Sequence, residues 1–330
     1  MSGAGRLAAF VTTRGNATLT VLVVAAAVTL PFVLPGYALF AMTKAICYGI
    51  GIVGLKLLTG YGGQFSLGHS AFLMLGAYVA IILAPTIGFP LAVALAAVAA
   101  MLLGALLGLA GLRIKGHYLG LLTFMVALAI IQVPKASVLV PVTGGSSGLS
   151  FRVPLPAATS YGRDLFWYWT AVAVAAAVTV GIHALIRSRF GRALQASRDN
   201  ALAAGALGVN TALVDVAAFA ISGACAGIAG GLLAGVLTYI DPGSFHYTLS
   251  ILLFVGMAVT GIRSLPAAYI GGALIVFVPN WAEGVSRDLS WAVYGGTLLV
   301  LLYIQVSAPR LVRLVTQREA RRGRPAGGMP

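Results

Sequence analysis

Ten apolar runs separated by short polar connections constrain the fold of this chain more than any other feature. The runs cover residues 17–35, 37–58, 66–84, 89–112, 117–134, 166–186, 214–238, 247–263, 267–283 and 289–308. A helix needs about 20 mostly apolar residues to cross the hydrocarbon core of a bilayer. The runs are continuous and do not alternate with polar residues, so they favour helices over the strands of a membrane barrel. The sequence therefore predicts an all-α integral membrane protein, a polytopic bundle of about ten transmembrane segments.

The third run, 66–84, leaves two interpretations open. It is short, and the Gly-rich, polar stretch GYGGQFSLGHS leads into it. It is either a complete membrane span or a broken, re-entrant helix whose irregular backbone is buried in protein.

The charges of the chain are few and predominantly positive. Charged residues make up 8% of the sequence, against about 25% in a soluble domain, yet the net charge is +14. The Lys and Arg residues are scattered over short connections and a tail, without the aromatic-laced basic patch typical of nucleic-acid binding, so no nucleic-acid partner is expected. Under the positive-inside rule their distribution predicts that both termini are cytoplasmic.

This topology divides the chain into three parts. Residues 1–16 are a cytoplasmic N-terminus, 17–308 a transmembrane domain, and 309–330 a basic cytoplasmic tail that anionic headgroups attract. The first run follows Arg6 and Arg14 as in a signal peptide. No small-residue cleavage site closes it, so a retained first helix is predicted. Lys56 is counted among the inner positive charges.

An Arg-rich polar island, residues 187–213, interrupts the apolar runs with the sequence RSRFGRALQASRDNALAAGALGVNTAL. Four arginines are expected to keep it on the cytoplasmic side, namely Arg187, Arg189, Arg192 and Arg198. Its small residues and amphipathic character favour a docking surface for a soluble partner. The alternative is an ordinary amphipathic loop held inside by its charge.

The island is expected to form two short helices. Ser197 or Asp199 is the expected N-cap of the second helix, and Gly208 is expected to end it in the left-handed conformation. Asp199 is also placed to form an exposed ion pair with the preceding Arg198, which is weak on its own.

A glycine repeat in the seventh run predicts close helix packing. Gly223, Gly227, Gly231 and Gly235 recur every four residues and so lie on nearly one helix face, where another backbone can approach. Gly104 and Gly108 repeat the spacing once. The other interpretation is a translocation path lined by bare backbone.

Lys44 lies about two turns inside the second run, where a charge is costly. Two roles are open for it: it lines a polar path, or its ammonium snorkels to the outer interface. The long outer loop, 135–165, contains PVTGGSSGLS. It either caps the outer mouth of a path or is a plain connector.

Several functions find no support in the residues. The sequence has no GxxxxGK phosphate loop, so any ATP chemistry is expected from another chain. It has no nucleophile–base arrangement, no metal-ligand spacing and no sign of a cofactor. Cys47 and Cys225 lie inside apolar runs and are expected to be small buried hydrophobes. No paired carboxylates inside the runs suggest a proton relay, which argues against an ion-coupled transporter.

Four motifs, in order along residues 55 to 275, carry a family resemblance. They are GGQFSLGHSAFLMLGAYVA, TGGSSGL, FGRALQASRDNALAAGALGVN with AFAISGACAGIAGGL, and DPGSFHYTLSILLFVGM. Together they resemble the permeases of branched-chain amino acid ABC transporters, more closely the M-type than the H-type subunit. The resemblance implies a helical ABC importer permease in the bacterial inner membrane. It also implies a second homologous permease, two cytoplasmic ATPases and an extracytoplasmic binding protein as partners.

The resemblance also assigns residues. Those expected to couple to an ATPase are Phe190, Gly191, Arg192, Ala193, Arg198, Asp199, Ala204 and Gly208. Those in family motifs that pack helices are Gly63, Ser66, Gly68, His69, Gly76, Tyr78, Gly223, Gly227 and Gly231. Those considered for the path or outer loop are Lys44, Thr143, Gly144 and Gly145.

The chain departs from the family pattern at several positions. Asp215 stands where the family usually has Lys, and Ser147 replaces an Asp. Thr260, Arg263, Ala267 and Ala268 replace the family's Gly, Gly, Gly and Pro. These departures keep a permease for urea, short amides or another small solute open as an alternative. A stand-alone secondary transporter is the alternative from another class.

Overall fold

The computed structural model describes residues 36–114, 116–153, 162–261 and 264–285, with single helical positions at 25, 27–29, 31, 295, 296, 299 and 303. Most of the first and tenth predicted runs lie outside the described residues. So do the N-terminal segment, the C-terminal tail, residues 154–161 of the outer loop, Lys115 and Arg263. The predicted total of ten spans and the predicted positions of the termini therefore stay predictions.

The described chain is almost entirely helical. The helices are α1 Gly36–Leu55, α2 His69–Ile87, α3 Phe89–Gly111, α4 His117–Ile130, α5 Val140–Thr143, α6 Arg163–Arg187, α7 Arg189–Asp199, α8 Ala201–Ala206, α9 Thr211–Leu237, α10 Tyr247–Val259 and α11 Ala267–Val285. A π-helical turn, Lys56–Tyr61, continues α1, and short 3-10 turns occur at Val133–Lys135, Gly145–Ser147 and Pro242–Phe245. Strands β1 Leu149–Ser150 and β2 Tyr239–Ile240 form an antiparallel pair.

Seven of these helical stretches are long and apolar enough to cross a membrane. They are Gly36–Tyr61, His69–Ile87, Phe89–Gly111, Tyr118–Lys135, Arg163–Arg187, Thr211–Leu237 and Pro242–Val259. A shorter apolar helix, Ala267–Trp281, follows them. Each predicted run from 37–58 to 267–283 contains a helix, which confirms the prediction of a polytopic helical membrane protein.

Helix α9 lies at the centre of the bundle and packs antiparallel to α3 through small residues. A Cβ atom added to Gly223 would lie 2.5 Å from the carbonyl oxygen of Ala100, and one added to Gly104 would lie 2.5 Å from that of Phe219. Gly227 likewise lies against Ala96 and Ala100. The two backbones touch because neither presents a bulky side chain at the contact.

The same α9 helix also packs against α2. A Cβ atom on Gly76 would overlap the backbone of Gly227, and one on Gly230 would overlap the backbone of Leu73. Helix α1 lies beside this core and packs against α9, α6 and α11. Cys47 on α1 and Cys225 on α9 are free and buried, which confirms that they are packing residues.

Candidate functional site

Helices α7 and α8 of the polar island form a compact pair at the end of α6. Leu194 of α7 is fully buried, and Phe190 packs against the main apolar core. A Cβ atom on Gly191 would overlap the backbone of Ile186, so only glycine fits where α6 turns into α7. Ser197 donates its hydroxyl to Asp215 Oδ1 of α9 at 3.3 Å. The island is therefore held against the membrane helices on both of its flanks.

Two local predictions about the island are wrong. The N-cap of α8 is Asn200, whose side chain accepts from the backbone N–H of Ala203, rather than Ser197 or Asp199. Arg198 donates Nη1 to the carbonyl oxygen of Gly60 at 2.9 Å instead of pairing with Asp199. The reason is tertiary, since the carbonyl lies 138 residues away in sequence. Gly208 does end α8, with φ +84°.

Two leucines of the α8 segment are exposed although they are apolar. Leu202 in α8 is 89% exposed and Leu207, which directly follows α8, is 86% exposed, while Ala204 between them is buried. Arg192 and Asp199 are exposed, and Ala193 is half-buried. Two exposed leucines, one on this short helix and one directly after it, are the kind of surface that another protein chain covers.

The π-helical turn Lys56–Tyr61 connects this island to the rest of the bundle. Its last turn supplies the Gly60 carbonyl to Arg198, and the aliphatic part of Arg198 packs on Gly63, which has φ +70°. Gly62 packs against Leu194. Irregular π turns are frequent at functional sites, and this one lies where the island meets α1.

Lys56 begins the π turn and is fully buried. Its Nζ donates to Thr260 Oγ1 at 3.1 Å and to the carbonyl oxygens of Gly261 at 3.0 Å and Ser264 at 2.6 Å. Sequence reasoning counted Lys56 only as an inner charge and missed this role. One feature of the sequence could have indicated this role: the loop that begins at Thr260 has a hydroxyl acceptor where the family usually has glycine.

The motif loop before α2 is held by buried hydrogen bonds. His69 bridges two hydroxyls, with Nδ1 at 3.2 Å from Ser66 Oγ and Nε2 at 2.9 Å from Ser222 Oγ of α9. Leu67 donates its N–H to Thr123 Oγ1 at 2.9 Å, and Gly68 packs directly on Thr123. Helix α2 thus starts inside the protein, after a loop whose polar groups find partners in α4 and α9.

The next motif residues lie on α2 and α9, where these helices pack in the middle of the bundle. Gly76 contacts Gly227, and Gly231 lies near Ala80 and Val93. The hydroxyl of Tyr78 is buried without a hydrogen-bond partner among the described residues.

The described part of the outer loop packs over the α9–α10 connection. Leu149 pairs with Ile240 and Ser150 with Tyr239 in the two-stranded sheet. Thr143 donates its hydroxyl to the Pro134 carbonyl oxygen at 2.6 Å. Gly144 and Gly145 follow with positive φ values of 70° and 58°. The loop is therefore a folded cap on this connection, and its contact with a solute stays a prediction.

Lys44 faces a cavity of about 280 Å³ between α1, the Pro242–Phe245 turn, α10 and α11. Its Nζ lies 5.7 Å from the centroid of the Phe40 ring. The structure therefore brings the candidate residues together in three places: the island with the π turn, the motif loop with α9, and the Lys44 cavity.

A multi-pass bundle of apolar helices, with a fixed polar island and a partly polar cavity, defines a membrane protein of the transport class. The family model described as branched-chain amino acid transport system / permease component matches residues 37–302, and the chain belongs to this family. The resemblance identified in the sequence is thereby confirmed.

Relatives with curated names extend the same similarity. The chain is 27% identical to the high-affinity branched-chain amino acid transport system permease protein LivM of Salmonella typhimurium, over 84% of this chain and 70% of that protein. It is 26% identical to the probable permease LivM of Methanocaldococcus jannaschii, over 82% and 83% of the two chains. It is 32% identical to BraD of Pseudomonas aeruginosa over 36% of this chain and 38% of BraD. No solved structure matches the chain.

Proposed function

We propose that this chain is a non-catalytic permease subunit of an ATP-driven importer for branched-chain amino acids in a bacterial inner membrane. It would form half of the translocation path beside a second homologous permease. Two cytoplasmic ATPases would supply ATP hydrolysis, and an extracytoplasmic binding protein would deliver the solute. Family membership over residues 37–302 is the observation that carries this proposal.

The geometry of the island supports its assignment as the ATPase contact. An exposed apolar surface at Leu202 and Leu207 needs a covering partner, and its cytoplasmic location follows from the predicted topology. The island is also joined to the bundle by directional contacts, through Arg198 to the π turn and through Ser197 to α9. A displacement of α8 would therefore be transmitted to the membrane helices as a rigid-body movement and would not be absorbed by a flexible loop.

Lys56 would carry this displacement further. Both contacts involve the same π turn. Its Gly60 carbonyl accepts from Arg198, and its first residue, Lys56, donates to the loop between α10 and α11. Movement of the island would therefore shift α1 and the start of α11 together. The island residues from Phe190 to Gly208 are therefore proposed as the segment that couples to the ATPase.

The test uses the tagged chain purified from native membranes in mild detergent. Two P-loop ATPases and a second permease should co-purify with the wild-type chain. Asp substitution of both Leu202 and Leu207 should remove the ATPases and lower ATP-dependent leucine uptake by about tenfold or more, a coupling energy of about 1.4 kcal/mol or more.

Val138→Asp is the matched control, since Val138 is 85% exposed in the outer loop. It should leave both co-purification and uptake unchanged. Recovery of the wild-type chain alone, still moving solute in vesicles without ATP, would replace the importer with a secondary transporter. Normal uptake in the double Asp variant would reject α8 as the coupling surface.

A further inference from the structure

We propose that the cavity beside Lys44 binds the carboxylate of the transported amino acid on its way through the membrane. This inference rests on the proposed function and deepens it, because it gives the permease itself a charge-specific site. It also separates amino acids from the neutral ureas and amides that the sequence left open as substrates.

Both polar and apolar side chains line the cavity. The polar ones are Tyr37, Lys44, Ser244, His246 and Asn280. The apolar ones include Leu249, Leu252, Ile275 and Val276. The volume of about 280 Å³ lies just below the range of about 300 to 1,000 Å³ of common ligand sites. This composition and size suit a small solute with one charged end and one aliphatic end.

Lys44 is placed to attract an anion into this space. It lies eight residues after Gly36, the first residue of α1, and so about 12 Å along the helix axis. Among the described residues no carboxylate forms an ion pair with its ammonium, which lies 5.7 Å from the centroid of the Phe40 ring. A positive charge inside a membrane span is costly unless it is paired or solvated. A solute carboxylate would supply the missing partner.

Asp241, which directly precedes the Pro242–Phe245 turn, does not supply that partner. Asp241 turns its carboxylate to Ser244, accepting from the backbone N–H at 3.1 Å and from the hydroxyl. Glu283 follows Asn280 by about one helical turn along the α11 backbone. The test therefore includes a Glu283→Gln variant, which shows whether an ion pair between Glu283 and Lys44 is needed for uptake.

The alternative is that Lys44 only snorkels to the outer interface. The two roles differ in what they require. If Lys44 only snorkels, loss of its ammonium should not change uptake as long as the protein inserts into the membrane. Carboxylate binding, in contrast, requires a positive charge at this position. A test that removes the charge and then restores it chemically tells them apart.

Lys44→Cys provides this test, because the chain has two native cysteines and both are buried. The complete transporter is reconstituted in vesicles with saturating leucine-loaded binding protein, and uptake per ATP is measured. Lys44→Cys should lower uptake by about tenfold or more. Treatment with 2-aminoethyl methanethiosulfonate, which rebuilds a cationic side chain, should restore most of it. The anionic 2-sulfonatoethyl reagent should not.

Lys135→Cys is the matched control, because Lys135 is an exposed lysine outside the cavity; its loss and modification should not change uptake. The inference is overturned if Lys44→Cys transports normally, if both reagents act alike, or if Glu283→Gln reproduces the loss and combining it with Lys44→Cys restores uptake. That last pattern would assign Lys44 to an internal ion pair. Failure of the wild-type transporter to carry any branched-chain amino acid would instead reject the proposed function.

Discussion

Gly76→Ala tests whether the bundle depends on direct backbone contact between α2 and α9. The added Cβ would lie 2.6 Å from the Cα and 2.8 Å from the carbonyl carbon of Gly227, where carbon atoms prefer about 3.5–4.0 Å. Neither atom belongs to a flexible side chain, so the two helices must separate locally by about 1 Å. Overpacking of this kind costs about 1–3 kcal/mol. We expect the free energy of unfolding to fall by that amount.

The assay is reversible unfolding of the purified chain in mixed detergent micelles, followed by circular dichroism. Gly181→Ala is the matched control, because Gly181 also lies in a membrane helix but has no heavy atom within 4 Å of the added Cβ. Alanine is favoured over glycine within a helix by up to about 1 kcal/mol, so this variant should be as stable as the wild type or more stable. Equal effects of the two substitutions would refute the argument from backbone contact.

Two further substitutions probe the loops. Lys56→Met should lower the free energy of unfolding by about 1.5–4.5 kcal/mol, because the three hydrogen bonds that Nζ donates to Thr260, Gly261 and Ser264 are lost, at about 0.5–1.5 kcal/mol each. Exposed Lys135→Met should change it little, and equal melting temperatures of the Lys56→Met variant and the wild type would contradict the expectation. Gly148→Ala should speed proteolysis of the outer loop more than Gly116→Ala does. Both glycines have φ +68°, so alanine strains the backbone equally at the two positions, but only Gly148 packs on Ile240. If each variant accelerates cleavage of its own loop to the same extent, backbone strain alone explains the effect and the contact with Ile240 contributes nothing.

The sequence by itself determined the class of the protein and the positions of its helices. Hydrophobic length is a local property, so the runs from 37–58 to 267–283 could be read as helices without knowledge of their neighbours. The glycine spacing on α9 likewise identified one helix face, because the helical period places every fourth residue nearly in line. The motifs identified the family because they preserve residue order along the chain.

Only the tertiary structure decided which of these residues meet. Lys56 was counted as an inner charge until the fold brought it to the Gly261 carbonyl, 205 residues away. Arg198 donates to the carbonyl oxygen of Gly60 rather than pairing with its neighbour Asp199, and strand β1 of the outer loop pairs with strand β2, which follows α9. The Lys44 cavity takes its walls from three separate parts of the chain. Such contacts depend on how helices pack across the bundle, and the local pattern of the sequence carries no record of that packing.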